Sequence, residues 1–290
     1  MTPEWKKKQE ALRLSGLPDM FGVDKPIIGM VHLPPLPGSP NYDGRGLDPI
    51  IEWALRDVET YQQTGVDGLI VENMWDHPYF VGEDVPSEAM TAQAVAAREV
   101  VKVATVPTGI NVIHNGGPVA LSIALAAGAT FVRVCILTGA RLWDTGELDH
   151  GCASRLLRHR RNLQAEHIKI FADVDKKHSL PFPGLDLETH IEWTDFYLAD
   201  ALIVSGRMTG DAPPLEKVRE AKALSRGRPI LMGSGTSAEN IADFLRYADG
   251  AIVGTSVKVD GKAENPVDRQ RLTAYMKSVE KTRHPSKSLR

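Results

Sequence analysis

Cysteine is nearly absent: Cys135 and Cys152 are the two in 290 residues, too few for a disulfide framework or a cysteine-based zinc centre. That usage points to a reducing compartment. Long apolar runs are also missing, since stretches such as 68–71 and 250–253 fall far short of the roughly 20 residues needed to cross a bilayer. No integral membrane segment is expected. Neither is there an excess of one charge: 34 Lys and Arg against 37 Asp and Glu leave −3, which offers no broad basic field for nucleic acid or an anionic membrane. Any anion must be held locally. The N-terminal Lys6, Lys7 and Lys8 are interleaved with Glu4, Glu10 and Asp19, and no apolar segment or small-residue cleavage site follows them. This predicts a short amphipathic helix outside the main fold and a cytoplasmic protein. A Gly-Lys-Ser/Thr phosphate loop is lacking, so nucleotide hydrolysis of that kind is not indicated.

What the sequence has is ordinary globular composition, 42% hydrophobic and 24% charged, and a recurring phrase in which a small residue, often followed by an acid, precedes a short apolar run. The phrase occurs at 65–71, 128–134, 199–204 and 248–253, and further runs at 27–31, 108–113, 168–174 and 229–232 bring the number to eight. Most runs are continuous, as expected for parallel strands covered on both faces. Helical spacing fills the gaps, as in Ala89, Ala92, Val95, Ala96, Val100 and Val103. Asp48, Ser87 and Ser237 stand as helix caps. Eight strand–helix units describe an α/β fold, a single (β/α)8 TIM barrel with a short N-terminal helical extension; a doubly wound open sheet is the competitor. The divisions are 1–24 for the extension, 25–280 for the barrel and 281–290 for a basic tail.

In such a barrel the loops after the strands share one face, and function collects there. Gly233-Ser234-Gly235-Thr236 and Gly254-Thr255-Ser256 follow the last two strands, where phosphate sites recur. Glycine opens the backbone to a ligand, and a helix starting near Ser237 would aim its N–H groups at the same point. With Gly206 these residues are the expected phosphate binders, against the plainer reading that Gly and Ser only make turns. Asp173 lies in an apolar strand, where a carboxylate is costly to bury unpaired, and is the leading acid/base candidate. Lys177 can bind an anion, carry a proton or, desolvated, form a Schiff base; Lys176 reads as a solvated charge. His178, Glu72 and His32 complete the catalytic candidates. An Asp–Lys pair closing the barrel end is the structural alternative. Asn73, His114, Asn115 and Arg133 are candidate substrate contacts, Arg133 being expected to pair with a carboxylate. The prolines after His32 stiffen a long first loop that reads as a lid or wall over the barrel mouth. No organic cofactor is expected. A divalent metal stays open, through His32, Asp173 and His178 in a metal-dependent hydrolase, although no short-range ligand spacing supports one.

The runs GMVHLPPLPGSP (29–40), VEN (71–73), IVSG (203–206) and ADG (248–250), with Asp173, Lys177-His178, Gly233-Ser234-Gly235-Thr236 and Asn240, resemble the BtpA/SgcQ family over about residues 25–276. The resemblance implies a ribulose-phosphate-binding type of barrel. One branch of that family is named for photosystem I biogenesis and another lies in a sugar-transport operon; no settled reaction comes with it. Relative to the family pattern, His114 replaces a common Arg and Cys135 a common Asn, and 144–152 is unusual. An Arg-to-His change trades a permanent cation for a group that titrates near neutrality. Together these readings describe an isomerase, epimerase or lyase acting on a small phosphorylated sugar or related metabolite, as a homo-oligomer. A noncatalytic assembly factor of the BtpA type is the rival.

Overall fold

Every apolar run becomes a strand in the computed structural model, which describes residues 3–82 and 84–283. The chain begins with α1 (Glu4–Ala11), α2 (Pro18–Phe21), β1 (Ile27–His32), α3 (Asp48–Thr64), β2 (Gly68–Glu72), α4 (Ser87–Val103), β3 (Thr108–Asn111), α5 (Gly117–Ala127) and β4 (Phe131–Val134). A hairpin of β5 (Ala140–Trp143) and β6 (Leu148–His150) is inserted next, followed by α6 (Ala153–Asn162), β7 (Lys169–Asp175) and β8 (Ser179–Pro181). The remainder is α7 (Leu187–Phe196), β9 (Ala201–Val204), α8 (Leu215–Leu224), β10 (Ile230–Met232), α9 (Ile241–Phe244), β11 (Gly250–Val253) and α10 (Arg269–Arg283). Residues 284–290, most of the expected basic tail, lie outside the described residues.

Parallel pairing closes β1, β2, β3, β4, β7, β9, β10 and β11 into an eight-stranded barrel, with β11 returning to β1. The (β/α)8 expectation holds and the open sheet is excluded. Period-2 alternation explains the continuous apolar runs: Ile28, Met30, Ile70, Phe131, Phe171, Ile203, Leu231 and Ile252 fill the interior, while neighbours such as Ile27, Leu69, Val132 and Ile230 pack outward on the helices. Both faces are therefore apolar. Gly109 makes room inside, because a Cβ there would sit 2.3 Å from the Phe131 ring.

The recurring acid has a specific task. Asp67, Asp200 and Asp249 each accept from an amide at the start of the preceding barrel strand, the first residue at Ile27 (2.7 Å) and Ile230 (2.7 Å) and the second at Ile170 (2.8 Å). Each also donates its own amide back to the same residue's carbonyl. The acid thus satisfies a strand-end N–H that would otherwise be an orphan, and it sets the register of neighbouring strands.

Three local expectations are corrected. The N-terminal extension is not wholly outside the fold: Leu14, Leu17 and Phe21 belong to the barrel's interior cluster, and the Phe21 ring meets Phe131 edge-on at 5.9 Å. The sequence marks α1 as polar but not the apolar plug that follows it. Asp48 and Ser87 begin helices without capping them by a side-chain bond. The helix after β10 starts at Ile241, not Ser237, and has four residues, so it supplies little dipole.

Beyond the barrel, β6, β5 and β8 form a three-stranded antiparallel sheet at the mouth. It gives structure to the unusual 144–152 stretch and places Trp143 against the β3 loop.

Candidate functional site

A cavity of about 370 Å³ opens at the C-terminal ends of the strands. Its wall includes Gly233, Ser234, Gly235 and Thr236 after β10, and Gly254, Thr255 and Ser256 after β11. The hydroxyls of these loops hold the scaffold. Ser234 Oγ donates to the Asp211 carbonyl at 3.0 Å, Thr236 Oγ1 meets the Tyr275 hydroxyl at 2.9 Å, and Ser256 Oγ donates to the Thr236 carbonyl at 2.7 Å. The main chain is left over: among the described residues, the N–H groups of Ser234, Gly235, Thr236, Gly254, Thr255 and Ser256 make no hydrogen bond. Such a cluster of unused donors is the chemistry of an anion site. Gly235 is required here, since its φ is +74° and a Cβ would stand 2.0 Å from the Ala212 amide nitrogen.

Gly206 is not part of this wall. Its N–H donates to Ser234 Oγ at 3.2 Å, and a Cβ would clash with the Asp211 carbonyl oxygen at 2.2 Å. It braces the loop, and the neighbouring Gly210 lines the cavity in its place.

His32, Glu72, Arg133 and Lys177 also line the cavity, with His32 close to Gly254 and Arg133 close to Gly233. Arg133 and Asp173 form a buried bidentate pair, Nε to Oδ2 and Nη2 to Oδ1, both at 2.9 Å. Ser205 adds a hydroxyl donor to Asp173 Oδ1 at 3.2 Å. Burial opposes the charge of Arg133, and Asp173 outweighs it, so the guanidinium pKa is raised. Burial also opposes ionisation of Asp173, and Arg133 and the lysines beside it hold its pKa below the usual value. Asp173 is fully buried, absent from the cavity wall and committed on both oxygens. Its expected acid/base role is therefore corrected to a positioning one: it aims Arg133. The expected partner for a strand Asp was a lysine; the structure uses Arg133 from the adjacent strand.

Glu72 remains as the carboxylate in the wall. Asn111 donates to its Oε2, and His32 Nε2 lies 3.8 Å from its Oε1. Burial resists its charge, but His32, Arg133, Lys176 and Lys177 more than compensate and hold its pKa low. Burial, then Lys258, push the His32 pKa down to about 3, so at neutral pH the imidazole is uncharged. The charge on Glu72 then rests on Arg133 and the lysines. His32 Nδ1 faces the Ala263 carbonyl at 3.5 Å, a long contact that favours the proton on that nitrogen.

Lys177 makes no hydrogen bond or ion pair among the described residues. Burial and the neighbouring Lys176 bring its pKa down to about 8. An amine with a pKa this close to neutrality is available in both its charged and its neutral form.

The other candidates fall elsewhere. Asn73 bridges to the main chain of Ile113, accepting from its N–H at 2.8 Å, and Asn115 accepts from the Ile136 N–H at 2.8 Å and donates to the His150 carbonyl. Both fasten loops and neither lines the anion cavity. His178 is held on both nitrogens, by Asp144 at 3.0 Å and by Thr209 Oγ1 at 2.9 Å. The expected metal trio does not assemble: Asp173 is spent on Arg133 and His178 on Asp144 and Thr209. Among the described residues no group of three or more His, Cys, Asp or Glu is placed to hold a metal ion. The proline-rich loop packs against the β2 loop, with the Leu36 amide donating to Asp76, and borders neighbouring cavities, not this one.

A second cavity of about 510 Å³ lies alongside, lined by Trp75, Tyr79, His114, Trp143 and His178. The His114 ring stacks on Trp143 at 4.0 Å between centroids and 11° between planes. Lys176, expected at the surface, is buried here. Several contributors went unread in the sequence. Asn111 could have been found by the rule that singled out Arg133, a polar residue inside an apolar strand. The buried Lys258–Asp57 pair (2.9 Å), which pins the segment after β11 to α3, carries no such signal, because neither residue lies in a strand. Trp143 lay in a segment with no periodicity to place it.

These features define a (β/α)8 barrel with an anion-type cavity at its C-terminal face. The chain belongs to the BtpA family, whose model matches residues 23–281. It is 43% identical over 247 residues to an uncharacterized protein of Pyrococcus furiosus, covering 85% of this chain and 92% of that protein. It is 37% identical over 260 residues to the photosystem I biogenesis protein BtpA of Synechocystis, covering 89% of each. Among solved structures it resembles N-(5'-phosphoribosyl)anthranilate isomerase from Pyrococcus furiosus, with TM-score 0.54, 10% identity, and coverage of 88% of this chain and 98% of that one. Orotidine 5'-phosphate decarboxylase from Pyrococcus horikoshii is similar at TM-score 0.53 and 14% identity, covering 88% of this chain and 99% of that one. At these identities the likeness is one of fold.

Proposed function

We propose that this protein is an enzyme acting on a small phosphorylated sugar or related metabolite, with isomerase, epimerase or lyase chemistry. One observation carries the reading: unused main-chain N–H groups from two adjacent loops share a cavity with an unpaired lysine and a buried carboxylate. The N–H groups hold a phosphoryl group, Arg133 adds a fixed cation, and Lys177 and Glu72 exchange protons with the carbon skeleton. The same lysine, when neutral, is the nucleophile that a Schiff-base lyase needs, and borohydride trapping of a carbonyl substrate separates that route from simple proton transfer. Two fold neighbours are named for phosphorylated compounds, phosphoribosylanthranilate and orotidine 5'-phosphate, which supports a phosphorylated substrate.

No described helix is long and apolar enough to cross a membrane. We place the protein in the cytoplasm, where charged sugar phosphates are retained, as a homo-oligomer; cell fractionation and sedimentation velocity read these two points. The relative named for photosystem I biogenesis favours a second reading, a ligand-binding assembly factor without turnover. Complementation of a deletion strain by Lys177→Met would support that second reading.

The test of the main proposal is thermal stabilisation across sugar phosphates and their dephosphorylated forms. A ligand of the folded state at a hundred times Kd adds about 2.7 kcal/mol. Stabilisation by the phosphorylated members alone is expected. Equal responses with and without phosphate would overturn it.

A further inference from the structure

The anion cavity and the aromatic cavity are not separate sites. Lys177 lines both, and the wall passes between them at Thr209 and Gly210 and again at Gly261 and Ala263, one of each pair on either side. From this junction and the rings beyond it, we propose that the ligand has two parts: a phosphorylated sugar in the first cavity and, joined to it, a planar aromatic or heteroaromatic ring in the second. This rests on the phosphate reading above and extends it to a substrate class.

The walls of the second cavity select the ring. Trp75, Tyr79, His114 and Trp143 present flat surfaces, and His114 and Trp143 are already stacked face to face, with Tyr79 inclined on His114 at 4.8 Å. A sugar chain offers such walls little, whereas an aromatic face gains stacking energy from them. The charge distribution narrows the choice. A box of aromatic faces also suits a cation, but Lys176 and Lys177 border this one, and the acid Asp144 is engaged by His178. A neutral or acidic ring fits and a cationic one is repelled. His114 is itself buried, and its Nδ1 has no hydrogen-bond partner among the described residues. A polar atom left unsatisfied inside an otherwise apolar wall is what a heteroatom or bridging water on the ligand would complete. The volumes agree, since each cavity is of small-molecule size and together they hold a sugar monophosphate bearing one ring system. Lys177 then stands at the bond between the two parts, beside the sugar carbon that carries the ring.

The experiment is calorimetric titration of the full chain with ribose 5-phosphate, inosine 5'-monophosphate and inosine, repeated on Trp75→Ala and on Tyr79→Leu after melting curves confirm that each is folded. Inosine 5'-monophosphate should bind about tenfold more tightly than ribose 5-phosphate and quench tryptophan fluorescence. In either variant that advantage should disappear while ribose 5-phosphate affinity is kept. Equal affinity of the two phosphates in the native chain, with Trp75→Ala and Tyr79→Leu without effect, overturns the ring proposal and leaves the phosphate reading standing. Inosine binding as tightly as its monophosphate, or failure of both phosphates to bind, overturns the phosphate reading and the proposal with it.

Discussion

Two cavities meet at Lys177, and they are built by opposite means. The anion cavity is a main-chain device: two adjacent loops use their hydroxyls to stitch themselves together and leave their N–H groups unspent. The aromatic cavity is a side-chain device, assembled from the loops after β2, β3 and β7 and from the inserted β5–β6–β8 sheet. Main-chain donors in a fixed barrel loop recognise a group common to many ligands. Side chains on an insertion can be exchanged without disturbing the barrel, and so they carry what distinguishes one ligand from another.

The sharpest way to break this division is at the shared residue. Lys177→Met should lower turnover by about 10²–10⁴-fold, the usual worth of a positioned acid or base, without changing the melting temperature. Steady-state kinetics beside a melting curve checks both halves of that statement. Next in size is Asp173→Asn, which leaves the Arg133 charge buried and half-paired and should cost about 3–5 kcal/mol in urea unfolding. The same pair sets the acid limit. Because the Asp173 pKa is lower folded than unfolded, its contribution is complete above the ordinary aspartate value of 3.8 and is lost as pH falls through the lower folded value. Equilibrium unfolding at pH 7 and pH 3 should therefore show the native chain losing stability that Asp173→Asn no longer has to lose.

Gly235→Ala tests the main-chain device alone. The new Cβ strikes the Ala212 backbone at a φ that alanine rarely adopts, so the loop must shift. Affinity for ribose 5-phosphate should fall about tenfold or more by calorimetry, as expected when donors to a charged group are displaced. The smallest effect is in pH. With Lys177 near pKa 8 and its neutral form acting as the base, kcat/KM should rise up to about tenfold between pH 7 and pH 9 and then level off. The same profile on Lys177→Met should lack that limb.

The two cavities also differ in how far the sequence reveals them. Gly233-Ser234-Gly235-Thr236 and Gly254-Thr255-Ser256 stand out because a main-chain site demands small residues at consecutive positions after known strands, a local pattern. The dipole argument at Ser237 fails because the helix there is one turn long and begins at Ile241, a boundary that depends on the Asn240 side chain accepting from the Ser237 amide. Asp173 illustrates a different limit. Its burial was legible from the apolar strand, but whether a buried acid serves chemistry or holds a neighbour depends on what the adjacent strand places opposite it, and Arg133 is 40 residues away. The aromatic cavity lies beyond sequence reading for the same reason, because Trp75, Tyr79, His114 and Trp143 share no spacing and meet only through tertiary structure. The barrel itself was legible because both faces of every strand are buried, which writes continuous apolar runs into the chain, each of three acids marking a strand end.

The central claim, that the main chain of the last two barrel loops binds phosphate, is tested most directly by amide resonances. In ¹H–¹⁵N spectra of deuterated protein titrated with ribose 5-phosphate and with ribose, the amides of Ser234, Gly235, Thr236, Gly254, Thr255 and Ser256 should shift downfield with the first and stay still with the second. Saturable binding of ribose 5-phosphate with those amides unmoved would contradict the account.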